Sequence, residues 1–395
     1  MKGSVTLLKA YKVRLKPNNK QLTKLFEYAG CARFAYNWAL TREIENIALG
    51  GRFIKDGELR KEFTQLKKDE DKAWLSNVSN NVTKQAIKDA CNLYEKYIKG
   101  AELCPKFKTK EHSIPSFYQD PCKIQFTETH VRIEKFTESK KENRKRFNWV
   151  RLCEKGRIPL NCKYYNPRFI YDGLYWYVTV SVEVDTVTEE LNSKGIGIDL
   201  GIINLATCSD GYNYKSINKS RKVKLIEKRE RRLSKSISRK YENNKIGDQY
   251  YKTNNIEKSE HKIRVLKKKL RYIRKNYMHQ TISEIIKRRP RYICIENLDV
   301  KGMMKNHKLS KAIQKQCLYE FGKNIIYKAK EHNINVVIAD RFFPSSKRCI
   351  CCGRIKRDLK LSDRIYICSC GNVIDRDYQA SLNLMLYGKK ALGIT

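Results

Sequence analysis

Three acidic residues lie where short apolar runs end or where a helix is expected to begin. Asp199 follows the apolar residues of GIGIDLG, Glu296 follows those of YICIENL, and Asp377 lies in DRDYQASLNL. A carboxylate in such a position is held rigidly at the edge of a sheet, where a hydrated cation can reach it. Two or three carboxylates are a typical protein contribution to a Mg²⁺ site. Two such ions can clamp the attacking and leaving oxygens of a phosphoryl displacement, which is nuclease chemistry.

Cysteines form the second group with a chemical pattern. Cys349 and Cys352 lie in CICCG, and Cys368 and Cys370 lie in CSCG. Paired cysteines near glycine turns predict a tetrahedral Zn²⁺ site, and four thiolates leave no open position for a reacting water, so the zinc would be structural. The second pair is separated by one residue instead of two, and Cys351 is an alternative ligand in the first pair.

The charge of the chain indicates the class of partner. Lys and Arg number 83 against 42 Asp and Glu, which gives a formal net charge of +41. A field of this sign favours a polyanion, either nucleic acid or an anionic membrane. Apolar runs of the roughly 20 residues that a membrane helix needs are absent, and no signal peptide precedes the charged start. We therefore expect a nucleic-acid partner, no membrane, reduced thiols and a cytoplasmic, nucleoid-associated protein of a prokaryote.

The N-terminal half is expected to combine a strand, helices and further strands. Residues 5–15 alternate as a half-buried strand, with Val5, Leu7, Tyr11, Val13 and Leu15 on one face. A helical segment follows to about residue 100, broken near Gly50 and Gly51. The segment from Pro105 to Asp185 is β-rich, with strands expected at 124–136, at 149–152 and through Trp176, Val178, Val180 and Val182. ESKKENRKR is expected to be an exposed hairpin tip. The first strand needs partners, so we expect one small barrel with the helices inserted.

The C-terminal half positions the three acids. After the linker EVDTVTEELNSK come three strands, 194–200, 204–208 and 212–216, expected as antiparallel hairpins. Two basic helices over 219–278, interrupted near Asn243–Asn255, are expected to pack through Leu266, Leu270, Ile273 and Tyr277. Their Lys and Arg residues favour a channel that contacts a nucleic-acid backbone, and a solvated face is the alternative.

The remaining elements complete the order of a nuclease fold. We expect a strand at Tyr292–Glu296, a helix at Lys311–Glu331, a strand at Ile334–Ala339 and, after the cysteines, a helix at Tyr378–Tyr387. This order is typical of an RNase H-like α/β fold, whose acidic residues meet at one edge of the central sheet. The acids at 199, 296 and 377 are therefore expected to converge.

The whole chain resembles the TnpB family, transposon-encoded RNA-guided nucleases from which the smallest type V CRISPR effectors descend. The motifs AYKVRLKPNNKQ, RFAYNWAL, GIDLGIINLAT, IENLDV, RFFPSSKRC and DRDYQASLNL occur in family order. The resemblance implies a multidomain α/β and β protein with an N-terminal wedge β-barrel, an inserted helical recognition domain and an RNase H-like (RuvC) nuclease domain with an inserted zinc ribbon. The wedge barrel would comprise residues 1–16 and 105–190, and the recognition domain would comprise residues 17–104. The RuvC domain would comprise residues 191–344, which include the basic helical hairpin 219–278, and residues 372–395. The zinc ribbon would comprise residues 345–371.

The resemblance also implies roles for individual residues. By motif, Asp199, Glu296 and Asp377 would be the RuvC triad, holding two Mg²⁺ ions for which Mn²⁺ can substitute. Asp375 is the alternative to Asp377, and a capping or supporting residue if it is not the ligand. Arg376 is expected either near the scissile phosphate or in a structural ion pair.

The family further implies the partners. A guide RNA from the transposon end would pair with one strand of double-stranded target DNA beside a short flanking motif, and the displaced single strand would enter the nuclease site of a monomer. Candidates for contacting the flanking motif are Asn81, Lys84 and Gln85, which share one side of a helix with Lys88, together with Tyr118 and Gln119. A solvated helix face is the alternative for the helical ones.

Three other functions are weighed against this one. A non-cleaving RNA-guided DNA-binding regulator would lack a triad carboxylate, and all three are present. A miniature type V CRISPR effector would share the chemistry but use a CRISPR RNA, often as a dimer. A strand-transferring transposase would share the acidic triad, and the cysteine insert between the last strand and Asp377 argues against it.

Overall fold

The computed structural model of the chain describes residues 6–136, 146–185, 190–360 and 363–394. The chain divides into two compact units, Thr6–Val184 and the part from Asp185 onward. Each unit has its own hydrophobic core. Among the described residues, every helix is too short or too polar to cross a bilayer.

The first unit contains a seven-stranded sheet in the order β2-β6-β7-β1-β5-β4-β3. Strand β1 lies between β7 and β5, and its pairing with β5 is antiparallel. The predicted pairing of the N-terminal strand with the later strands is therefore confirmed. The strands are β1 Thr6–Lys16, β2 Ser116–Tyr118, β3 Gln125–Phe126, β4 His130–Arg132, β5 Trp149–Leu152, β6 Tyr164–Tyr171 and β7 Trp176–Asp185.

One predicted strand of this sheet is wrong in its extent. Residues 124–136 form the two short strands β3 and β4 because a turn separates them. The Thr127 hydroxyl accepts hydrogen bonds from the backbone N–H groups of Thr129 and His130, which closes the turn. The expected hairpin tip ESKKENRKR, and Val5 of the first strand, lie outside the described residues except for Arg146. The strand order among the described residues is linear, so the barrel stays a prediction.

The described part of the first unit also contains three α-helices, α1 Asn19–Ala48, α2 Asp56–Leu66 and α3 Asn80–Ile98. Helix α1 begins with a reciprocal capping box between Asn18 and Gln21. The predicted break after α1 is confirmed, because Gly50 has a φ of 78° that favours glycine. Buried small residues of α1 let α3 pack against it at close range.

The second unit contains a five-stranded mixed sheet in the order β10-β9-β8-β13-β14. Strands β8, β9 and β10 form the predicted antiparallel hairpins, whereas β13 is parallel to both β8 and β14. Two small hairpins, β11-β12 and β15-β16, lie outside this sheet. The strands are β8 Ile196–Leu200, β9 Asn204–Cys208, β10 Asn213–Lys215, β11 Lys245–Ile246, β12 Gln249–Tyr250, β13 Tyr292–Ile295, β14 Asn335–Ile338, β15 Ile365–Ile367 and β16 Val373–Asp375.

The helices of the second unit include the two predicted basic ones. Hairpin β11-β12 occupies their predicted interruption, and Leu270 is buried in the seam between them. The helices are α4 Arg221–Asn243, α5 Asn254–Lys287, α6 Val300–Met304, α7 His307–Gln316, α8 Leu318–Glu331 and α9 Arg376–Ala391.

The predicted single helix over Lys311–Glu331 is wrong, because the chain breaks at Cys317. This residue has a left-handed φ of 57° and separates α7 from α8. The buried side chain of Gln316 donates to the carbonyls of Gly201 and Ile202, both at 3.0 Å. These bonds hold the chain in a direction that a continuous helix could not follow.

Candidate active site

Sheet register places Asp199 opposite Glu296. In the parallel pair β8-β13, Ile196 is aligned with Ile293 and Ile198 with Ile295. The next residue of each chain is an acid, Asp199 at the end of β8 and Glu296 just beyond β13. Both strands are apolar and buried, so the acids lie where the buried strands end.

Close packing of α9 on the sheet places the third acid near Asp199. A Cβ at Gly197 of β8 would overlap the backbone of α9 at Ser381 and Met385. A Cβ at Gly388 would lie 2.7 Å from the ring of Tyr292. Glycines on both surfaces therefore allow a contact that other residues would prevent. Asp377 is in the first turn of α9, and its negative charge raises the pKa of Asp199.

The structure distinguishes the two aspartates of DRD. Asp375 is the N-cap of α9, and its Oδ1 accepts a hydrogen bond of 2.9 Å from the N–H of Tyr378. Its side chain is therefore engaged in capping, as expected if it is not the ligand. Asp377 is half-buried, and its charge raises the pKa of Asp199. We refer to Asp199, Glu296 and Asp377 as the acidic cluster.

The acidic cluster opposes ionisation of its own members. Burial raises the pKa of Asp199 well above its usual range, and the charges of Glu296 and Asp377 raise it further. Burial also raises the pKa of Asp377, as does Asp375, while Arg364 and Arg376 lower it. The raised pKa means that ionised Asp199 is unfavourable beside these acids, and a bound divalent cation would offset their like charge.

Glu296 is held by a residue from outside the sheet. The hydroxyl of Ser345 donates to Glu296 Oε1 at 2.6 Å. The side-chain amide of Asn383, on α9, donates to the carbonyls of Ser345 and Arg348, each at 2.7 Å. The position of Glu296 is thus linked to the helix that carries Asp377.

The four predicted zinc-ligand cysteines lie together, and we refer to them as the four-cysteine cluster. Sγ of Cys349 is 3.6 Å from Sγ of Cys370, and Sγ of Cys352 is 3.6 Å from Sγ of Cys368. All four sulfurs lie within 4.8 Å of one another. Zn–S bonds of about 2.3 Å put tetrahedral sulfurs about 3.8 Å apart, so the donors fit zinc. Cys351 is exposed and outside this set.

The four-cysteine cluster is also connected to α9. Burial tends to raise the pKa of Cys349, but the N–H groups of Cys352 and Cys351 hold it at about 6. Asn372 donates to Cys349 Sγ at 3.5 Å and to Gln379 Oε1 at 2.9 Å. Gln379 is fully buried on α9, two residues after Asp377. The same helix therefore supports both clusters.

Curated proteins match the chain over nearly its whole length. A protein of Streptomyces pristinaespiralis named "Putative RNA-guided DNA endonuclease" is 27% identical over 384 residues, which cover 97% of this chain and 90% of that protein. "Putative RNA-guided DNA endonuclease InsQ" of Escherichia coli (strain K12) is 24% identical, with 98% and 93% covered. Family models described as "Probable transposase" and "Cas12f1-like, TNB domain" match residues 177–307 and 319–384.

These matches support the resemblance of the chain to the TnpB family. A third model, described as a helix-turn-helix domain, matches residues 1–52 of the chain. In residues 6–52 the structure instead has strand β1 and one helix of 30 residues, so that description does not apply to the observed fold.

A solved structure shares the fold of this chain. The protein in the cryo-EM structure of a Cas12f1-sgRNA-target DNA complex aligns with a TM-score of 0.58 and 12% identity. The alignment covers 96% of this chain and 99% of the other. The two proteins therefore share a multidomain α/β architecture.

Four of the candidate nucleic-acid contacts are at least partly exposed in the first unit. Lys84 is exposed on α3, and Asn81 is half-buried near its start. Gln85 donates to Asp89 at 2.9 Å, and Asp89 accepts two bonds from Arg168, at 2.8 and 3.1 Å. The ring of Tyr118 lies 5.9 Å from the Arg168 guanidinium carbon. Gln85 and Tyr118 therefore border one ion pair.

Gln119 does not have the surface position expected of a nucleic-acid contact. It is only 3% exposed, and its amide nitrogen donates to the carbonyls of Lys123 and Arg132. Its oxygen accepts from the N–H of Glu134 at 3.3 Å. Gln119 follows strand β2, and its side chain turns inward to satisfy buried backbone groups.

The polar residues that support the two clusters could not be identified from the motifs alone. In the sequence, Ser345 lies in RFFPSSKRC, and Gln379 and Asn383 lie in DRDYQASLNL. A usable signal was present, because Gln379 and Asn383 are four residues apart on a helix face that is otherwise small or apolar. Buried polar residues at helical spacing need partners, and here they hold the two clusters.

Proposed function

We propose that this chain is a transposon-encoded RNA-guided DNA endonuclease that cuts double-stranded target DNA next to a short flanking motif. The observation that carries the proposal is the alignment of Asp199 with Glu296 at the ends of neighbouring parallel strands, together with the effect of the Asp377 charge on Asp199. It occurs in a chain whose curated relatives, matched over nearly their whole length, are named RNA-guided DNA endonucleases.

The nuclease domain is proposed to be of the RNase H-like, RuvC type. Three antiparallel strands followed by two parallel ones, in the order β10-β9-β8-β13-β14, support this assignment. The domain would comprise 191–344 and 372–395, with the zinc ribbon at 345–371. In the other unit, the wedge barrel would comprise residues 1–16 and 105–190, and the inserted recognition helices would comprise residues 17–104.

The acidic cluster is proposed to hold two Mg²⁺ ions, for which Mn²⁺ can substitute. Bound there, the ions would supply an activated water and neutralise charge on the phosphate. The three carboxylates fit this role because oxygen ligands suit Mg²⁺ and because their mutual repulsion favours a cation. The four-cysteine cluster would hold one structural Zn²⁺.

The excess of basic residues supports nucleic-acid partners for this monomeric, cytoplasmic protein. A guide RNA from the transposon end would pair with the target strand, so base pairing would supply sequence specificity while the protein reads duplex shape and the flanking motif. The basic helices α4 and α5 belong to the same unit as the acidic cluster and would contact RNA and DNA backbones. Asn81, Lys84, Gln85 and Tyr118 remain proposed contacts for the flanking motif.

Removal of one carboxylate tests the proposal. Metal ions contribute several kcal/mol to the transition state, so Asp199→Ala should lower cleavage at least about 10³-fold. Binding of guide RNA and target DNA should be retained, as measured by gel shift. Asp248→Ala, which removes an exposed acid in the β11-β12 turn, is the matched control and should cut normally. Cleavage by Asp199→Ala at the wild-type rate would refute the assignment.

The source of the RNA separates this function from its nearest rival. RNA that co-purifies with the protein should carry transposon-end sequence followed by a guide at its 3′ end. Sequencing that finds CRISPR repeats instead would assign the chain to the miniature type V effectors. If purified complexes bind target DNA and do not cut it in Mg²⁺, the chain would be a non-cleaving regulator.

A further inference from the structure

Glu296 differs from the other two acids in how it is held. Asp199 lies within a strand and Asp377 within a helix, and both have short side chains. Glu296 lies just beyond β13 and has one more methylene group, so its carboxylate has more rotamers to lose when it is fixed. The hydrogen bond from Ser345 at 2.6 Å restricts that freedom.

Ser345 is itself fixed between the two clusters. It is 6% exposed and lies in the turn from Pro344 to Arg348, in which the N–H groups of Lys347 and Arg348 donate to the Pro344 carbonyl at 3.1 and 3.0 Å. Asn383 clamps both ends of the turn through the Ser345 and Arg348 carbonyls. The next residue, Cys349, is the first member of the four-cysteine cluster.

We propose that Ser345 is a positioning residue for Glu296, and that the four-cysteine cluster fixes Ser345. This inference rests on the proposed function of the acidic cluster. The hydroxyl occupies one of about four lone-pair sites of the carboxylate, so the others remain available to a cation. Partners of this kind orient a metal-binding carboxylate and affect metal affinity. Zinc bound at Cys349, four residues after Ser345, would thus act on the Mg²⁺ site through Ser345.

The test is the Mg²⁺ dependence of cleavage by Ser345→Ala. The Mg²⁺ concentration for half-maximal cleavage should rise about tenfold, because loss of such a partner typically costs 10–100-fold in metal affinity or activity. The rate at saturating Mg²⁺ should recover to within about threefold of wild type, and zinc content should be unchanged. Ser345→Thr, which keeps the hydroxyl, should restore the wild-type dependence. Ser346→Ala removes the neighbouring hydroxyl and should have no effect.

A second measurement does not depend on cleavage. Binding of Mn²⁺ to the protein, followed by electron paramagnetic resonance, should weaken by a similar factor in Ser345→Ala. If the wild-type protein cuts no DNA but its Mn²⁺ affinity depends on Ser345, the proposed function fails and the positioning role stands. An unchanged metal dependence, or an equal defect in Ser346→Ala, would overturn the inference. Should Ser345→Ala fail to fold, Ser345→Cys, with its weak donor, replaces it.

A double-mutant cycle tests the link to zinc. Cys352→Ser should raise the Mg²⁺ requirement of the wild-type background, because zinc no longer fixes the turn. The same substitution should add less than about twofold in a Ser345→Ala background, because the connection is already broken. Fully multiplicative effects would show that the four-cysteine cluster acts on the Mg²⁺ site by another route and would overturn the second half of the proposal.

Discussion

The four-cysteine cluster and the acidic cluster lie in the same unit but are assembled in different ways. The cysteines come from two turns within residues 349–370, so local spacing determines which side chains meet. The acids come from residues 199, 296 and 377, so strand register and a helix crossing determine their meeting. A local cluster depends on its own turns, whereas a distributed cluster depends on the packing of the whole domain.

The two clusters also hold their protons differently. Backbone N–H groups keep the pKa of Cys349 at about 6 despite its burial, while the pKa of Cys370 is raised to about 12 because the neighbouring thiols outweigh the opposing N–H of Asn372. In the acidic cluster, burial and like charge raise the pKa of Asp199. The cysteine turns are thus prepared for a metal by their backbone, whereas the carboxylates repel one another until a cation binds.

The largest expected effect follows loss of a zinc ligand. Cys352→Ser should lower zinc from one ion per chain to near zero, because three thiolates and a hydroxyl bind zinc far more weakly. Structural zinc is worth about 10–16 kcal/mol in small zinc-finger peptides, so the cluster should unfold locally. Metal analysis measures the zinc, and proteolysis within 345–371 measures the unfolding. If Cys352→Ser retained one zinc and residues 345–371 stayed protected from proteolysis, the cluster would not depend on all four of its cysteines.

Next is the packing on which the acidic cluster depends. Gly197→Ala would place a methyl group into the backbone of α9, and overpacking of this kind costs about 3 kcal/mol. Cleavage should fall with stability, because α9 carries Asp377. Gly322→Ala on α8 is the matched control, since its Cβ would meet open space, and it should stabilise the protein by about 1 kcal/mol. Urea denaturation measures the free energy of unfolding of both variants. A free energy of unfolding equal to that of the wild type in Gly197→Ala would contradict the role of close packing.

The difference between local motifs and contacts of distant segments explains which features could be predicted from the sequence. The cysteine pairs and the three acids could be predicted because each lies in a short motif with a chemical pattern. Gln316 and Cys317 could not, because the break between α7 and α8 depends on carbonyls of residues 201 and 202. Ser345 was missed for the same reason, since its partner Glu296 is 49 residues away. Polar contacts between distant segments leave little local signal.

A smaller effect is expected from relieving the repulsion among the acids. Because the pKa of Asp199 is raised, the metal-free protein loses stability as pH rises from about 4 through that raised pKa. Asp199→Asn should remove this loss and stabilise the protein in EDTA by about 1 kcal/mol, a typical gain when a functional residue is replaced. It should also abolish the stabilisation of the wild type by Mg²⁺. Thermal melts at pH 7 measure the stability in EDTA and the stabilisation by Mg²⁺. If Asp199→Asn were less stable than the wild type in EDTA, the proposed repulsion among the acids would be contradicted.

The smallest expected effect concerns the fifth cysteine of the insert. Cys351 is exposed, and its pKa is raised, first by partial loss of hydration and then by the charge of Cys349, so its thiol ionises poorly. Cys351→Ser should keep one zinc per chain and change the free energy of unfolding by less than about 0.5 kcal/mol, as surface substitutions usually do. Its backbone N–H, which faces Cys349, is unchanged by the substitution. If Cys351→Ser lost zinc while Cys352→Ser kept it, the ligand set would be 349, 351, 368 and 370, and both turns would have one-residue spacing.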